Sequence, residues 1–93
     1  MGKNEEIEKI IKKIEDSKIE GDFIKTQDNL EKIMELDSEN KEIKKQLSHI
    51  LFINGEIKKS EILVNELLVT YPKDIELLKL NALINYNYKN YKK

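Results

Sequence analysis

Cysteine is missing from all 93 residues, which removes disulfides and thiolate metal sites from consideration. Arginine is missing too, because all 17 basic residues are lysine. The planar fork of arginine makes the bidentate contacts that phosphates and base edges favour. Its absence and a net charge of −1 argue against nucleic acid as a partner. His49 is the single histidine and has no cysteine or second histidine with which to share a metal, so no metal or other cofactor is expected. No apolar run approaches the ~18 residues of a membrane span. Met1 to Glu8 is charged, unlike a signal peptide. The expected location is the cytoplasm, with no membrane partner.

Enzyme chemistry finds no footing. There is no glycine-rich phosphate loop, no Ser/His/Asp set and no metal-ligand spacing. The acidic residues recur three or four positions from lysines, which is how a solvated helix face looks. No catalytic residue is expected.

Glycine (3) and proline (1) are also scarce, the charged fraction is 38% and the apolar fraction 39%. With no strand-like alternation, this composition predicts an all-α chain of thin, elongated packing, long enough for one small domain. Ile7, Ile10, Ile11 and Ile14 mark a helix over about Asn4–Ser17. Further helices are expected over Asp22–Leu36 (Phe23, Leu30, Ile33, Met34) and Lys41–Ile53 (Ile43, Leu47, Ile50, Leu51). A fourth, over Glu56–Thr70, is the most apolar, with Ile57, Ile62, Leu63, Val64, Leu67, Leu68 and Val69. A fifth comes after Asp74, carrying Leu77, Leu78, Leu80, Leu83 and Ile84 and fraying through its Tyr/Asn-rich end. Asn40 and Asp74 suit N-caps, Asn54-Gly55 a left-handed helix end, and Tyr71-Pro72 a stop.

Gly21 and Gly55 open two stretches of similar sequence. At the offset between them Asp22 pairs with Glu56, Thr26 with Ser60, Leu30 with Val64, and Ile33 with Leu67. A whole pattern recurring at one offset is a structural period. With this period of about 34 residues, a helix-turn-helix unit and Pro72 closing the fourth helix, the chain resembles the tetratricopeptide repeat. Residues 41–74 carry the likeness best. Leu47-Ser48 stands at the family's Leu-Gly pair, Leu51 at the large residue after it, Ser60 at the small Ala position, Val64 at Phe and Pro72 at Pro. Lys44 departs from the Trp position, and Ser38 replaces Pro in the first unit. Ile14 stands where a small residue belongs, so a gap or altered packing is expected there. Asn81 and Asn85 fall on apolar positions of the third unit, and Lys89-Asn90-Tyr91 resembles the stretch that opens a second helix. The resemblance implies one domain over 1–93, with units of about 4–40, 41–74 and a partial 75–93. Five antiparallel helices in hairpins would form a short right-handed superhelix, ended by a capping helix or cut from a longer array.

Such arrays bind peptides or helices in a concave groove lined by the first helix of each unit. The resemblance therefore implies a protein–protein interaction module or adaptor with a protein or peptide partner. Projected here, the groove takes Glu8, Lys12 and Glu15 from the first unit. Glu42, Lys45, Gln46, His49 and Phe52 come from the second, and Glu76, Lys79, Leu80, Leu83 and Tyr86 from the third. The Lys/Asn/Arg clamp with which some family members grip a C-terminal carboxylate is not reproduced. An alternative is a self-associating module, in which an open hairpin at 74–93 exposes Leu77, Leu80, Leu83 and Ile84 to a second copy, giving a homodimer. Residues 73–93 carry five lysines against two acids, a tail that either docks an acidic partner or offsets a helix dipole.

Overall fold

A computed structural model describes residues 2–91 and shows an all-α chain. Its five helices are α1 (Gly2–Glu20), α2 (Phe23–Leu36), α3 (Lys41–Ile53), α4 (Ile57–Thr70) and α5 (Ile75–Tyr91). Each packs on the next, and α3 also touches α5. The extents are 48 × 30 × 19 Å, so the short dimension holds two helix layers at ~8–10 Å between axes. Among the described residues no helix is long and apolar enough to cross a membrane. Lys92 and Lys93 of the basic tail lie outside the described residues.

The turns repeat with the period that separates the two glycines. Gly21 N–H donates to Lys18 O at 3.1 Å and Asp22 N–H to Ser17 O at 2.8 Å; Gly55 N–H donates to Phe52 O and Glu56 N–H to Leu51 O at the same two distances. Both are Schellman ends, closed by a glycine in the left-handed region, at φ +77° for Gly21 and +84° for Gly55. The other two turns match as well: Asn40 N–H donates to Asp37 O and Asp74 N–H to Tyr71 O, each at 3.2 Å. Asn40 Oδ1 then caps α3 by accepting from Ile43 N–H, and Asp74 Oδ1 caps α5 by accepting from Leu77 N–H.

Small hydroxyl residues let the paired helices approach. Ser60 Oγ donates to Ser48 O at 2.7 Å between α4 and α3, both residues being fully buried. In the first pair the close approach shifts by almost a turn: Ser17 Oγ lies 2.6 Å from Thr26 Oγ1. Ile14, at the register of Ser48, instead joins the core. The altered packing expected of the first helix thus takes the form of a displaced contact point. A bulky residue at the Ser48 register forbids close backbones there, and Ser17 supplies the room nearer the turn.

One apolar cluster joins α1, α2 and α3 through Ile10, Ile14, Leu30, Ile33, Ile43, Leu47, Ile50 and Leu51. A second joins α4 and α5 through Val64, Leu80 and Ile84, with Phe52 of α3 packed against it. Leu80 and Ile84, expected to lie open, are therefore covered, at 4% and 0% exposure, and Leu77, expected to be open as well, is buried at 1%. Ile62 and Val69, two of the apolar residues that mark this helix in the sequence, point outward at 56% and 84% exposure, because α4 buries only the stripe through Ser60, Val64 and Leu67. Leu78 stays half-exposed on the side of α5 that no further helix covers. The backbone of α5 remains helical through Tyr91. Lys89 occupies the register of Gly21 and Gly55, and without a glycine there the chain continues helical where the repeat pattern expects a turn.

Candidate functional site

A cavity of about 350 Å³ opens where α3 runs between the end of α1 and the start of α5. Its floor is apolar and buried, from Ile50 of α3 and Leu77 and Leu80 of α5. Partly exposed Ile53 and Phe23 form one shoulder. The rim is polar: Glu42, Gln46 and exposed His49 on α3, Glu76 on α5 and Lys18 on α1.

Side-chain bonds between elements hold this rim. Lys18 Nζ donates to Gln46 Oε1 at 3.0 Å, fixing the end of α1 over α3. Lys45 Nζ lies 2.9 Å from Asp74 Oδ2 and also pairs with Glu76, tying α3 to the start of α5. The Lys45 side chain is only 12% exposed. Hydrogen bonds to Glu76 and then Asp74 raise its pKa well above the ordinary lysine range, outweighing the opposing effect of burial. The same bond from Lys45, helped by the Leu77 N–H and Lys41, holds Asp74 down at about 2. Lys41 Nζ stands 3.3 Å from Asp74 and 4.0 Å from the centre of the Tyr71 ring, so the turn before α5 is gripped from both sides.

On the side of the Phe23 shoulder, Asn54 Nδ2 donates to Phe23 O and to Gln27 Oε1, at 3.1 and 2.7 Å. Gln27 Nε2 in turn donates to Glu56 at 2.9 Å. That bond, seconded by Lys59, lowers the Glu56 pKa. The α2 entry and the α3–α4 turn are thereby fixed as one unit. No buried side-chain nitrogen or oxygen among the described residues lacks a partner.

Of the residues projected onto a groove, the cavity brings together Glu42, Lys45, Gln46, His49, Glu76 and Leu80. Leu80 takes part from below, as a core residue. Lys12, Lys79, Leu83 and Tyr86 do not line the cavity, and Phe52 packs in the α4–α5 cluster instead. Lys12 is excluded because α1 sits out of step with the period. Its sequence register places it beside Gln46, yet the α1 residue that reaches Gln46 is Lys18, more than a turn further along. Lys18, Phe23 and Ile53 were not legible as site residues. The helical pattern ends α1 at Ser17, and it counts Phe23 with the core. Only the folded turn places Phe23 beside Ile53.

Comparisons with protein-family models, with curated proteins and with solved structures return no match for this chain.

Proposed function

We propose that this protein is a tetratricopeptide-like interaction module, its antiparallel helical hairpins presenting the α1–α3–α5 face to a peptide or helix of another protein. The cavity carries this reading: a buried apolar floor, shared by successive first helices, lies open beneath a rim of polar side chains. Its volume sits at the low end of the ~300–1,000 Å³ usual for ligand pockets, so it takes one or two side chains of a partner while the rim meets the backbone. The recurrence of turns and caps at one constant offset supports the repeat assignment.

The test is selection of peptides from a random display library on the native chain, followed by rebinding to Ile53→Asp and Gln46→Glu, with helicity checked by circular dichroism. Ligands that bind the native chain and lose at least tenfold on the folded variants support the reading. Selection of nothing, or of ligands indifferent to both substitutions, overturns it.

A further inference from the structure

The period that matches the turns also matches helix faces. On α3, Lys41, Lys44 and Ser48 face α4. Ser48 O accepts from Ser60 Oγ, and Lys41 and Lys44 line a small pocket with Glu66, Leu67, Thr70 and Tyr71 at the end of α4. One period on, α5 carries Ile75, Leu78 and Ala82 at those three positions. All three are exposed, Ile75 at 66% and Leu78 at 45%. Among the described residues α5 contacts only α4 and α3. The face that α3 covers with its following helix therefore stands bare on α5. It is also more apolar than its counterpart, since isoleucine and leucine replace the two lysines. Asn85, about one turn beyond Ala82, is exposed too and makes the far end of this stripe polar. The surface lies outside the cavity, whose α5 lining is Glu76, Leu77 and Leu80, and it does not depend on the groove reading.

We infer that this face docks an amphipathic helix of another protein, laid antiparallel on α5 as α4 lies on α3. The α3–α4 contact sets the chemistry of that helix. A serine or alanine sits over Ala82, as Ser60 sits over Ser48, and lets the two backbones approach. Apolar residues at the offsets of Glu66, Leu67 and Tyr71 cover Leu78 and Ile75. An acid at the Glu66 offset suits a face with Lys41 and Lys44 but would be desolvated unpaired over leucine. A second copy is a poorer occupant: antiparallel α5 on α5 sets Ile75 and Leu78 of one copy against the polar Asn85 end of the other.

The experiment measures fluorescence anisotropy of two labelled peptides on the full chain. One has the α4 sequence Glu56–Tyr71, and the other has the same sequence with Glu66→Leu. The protein variants are Leu78→Lys, Ala82→Leu and, in the cavity, Ile53→Asp, with helicity checked by circular dichroism. The leucine-bearing peptide should bind the native chain more tightly than the α4 sequence. It should lose roughly tenfold on Leu78→Lys, the worth of one apolar side-chain contact. On that variant the preference should reverse toward the peptide with Glu66. Ala82→Leu should weaken both peptides, and Ile53→Asp neither. Binding of neither peptide overturns the inference. Binding indifferent to both α5 substitutions, as when a peptide takes the place of the chain's own α4, overturns it too. Loss on Ile53→Asp alone would put the peptide in the cavity, overturning this inference and leaving the groove reading intact. Sedimentation of the chain alone is the last arm: a doubled mass at high concentration, abolished by Leu78→Lys, would give the face to a second copy and overturn the inference.

Discussion

Asp74 serves two helices with its two carboxylate oxygens: Oδ1 accepts from Leu77 N–H to cap α5, and Oδ2 meets Lys45 Nζ of α3 at 2.9 Å. The start of the last helix and its attachment to the middle of the fold therefore depend on one ionised group. Since the folded state lowers its pKa from 3.8 to about 2, the unfolded chain binds the proton more readily. The stability this group contributes is present above about pH 4 and is lost as pH falls toward 2. Asp74→Asn keeps a capping oxygen but removes the charge. Urea denaturation between pH 2 and 7 should show a shallower acid-side decline in the variant. An unchanged pH profile would mean that the Lys45 pair does not form in solution.

The two glycine turns make a test that involves backbone alone. A methyl group at Gly21 or Gly55 would meet nothing within 4 Å, yet both residues hold positive φ. Gly21→Ala and Gly55→Ala should each cost about 1 kcal/mol in chemical denaturation, the penalty of an L-residue in the left-handed region. A neutral effect at either site would place that turn in another conformation.

Val64 and Val69 are the same residue on the same helix, at 0% and 84% exposure. Val64→Ala should destabilise by about 2 kcal/mol, from lost burial and a residual cavity. Val69→Ala should stay within about 0.5 kcal/mol. Equal effects would mean that α4 is rotated about its axis.

Ser60 is fully buried where α4 meets the Ser48 carbonyl. Ser60→Ala should cost about 1 kcal/mol for the lost bond. Ser60→Leu should cost more, about 1–3 kcal/mol, by forcing the helices apart. If Leu were better tolerated than Ala, the two helices would not approach closely at this point.

The period of the chain was legible because turns and caps are local chemistry. Gly21, Gly55, Asn40 and Asp74 announce themselves wherever they occur, and the structure uses all four in matched pairs. Even a tertiary bond obeys the same offset. Asn54 donates to Gln27, and one period further on Tyr88 donates to Glu61 at 3.2 Å, with wholly different side chains. Sequence comparison of the two units would not pair asparagine with tyrosine. What the pattern left open was orientation. A helix as apolar as α4 offers several stripes at helical spacing, and only the neighbours α3 and α5 decide that Val64 turns in while Ile62 and Val69 turn out. The site was half legible for the same reason. Glu42, Gln46 and His49 come directly from the register of α3, while Lys18 and Phe23 depend on how far α1 runs and where the Gly21 turn delivers α2.

The cavity rim takes Lys18 from α1 and Glu76 from α5, the outermost of the five helices, and its floor includes α3, which touches α2, α4 and α5. In a stack where each helix leans chiefly on its neighbours, opening begins at the outer members and reaches the middle last. A ligand gripping Lys18 on one side and Glu76 on the other would close a clasp across the two parts that open most readily. Slowed amide exchange in the last turn of α1 and the first turns of α5, at residues no ligand atom touches, would be the dynamic signature of such binding.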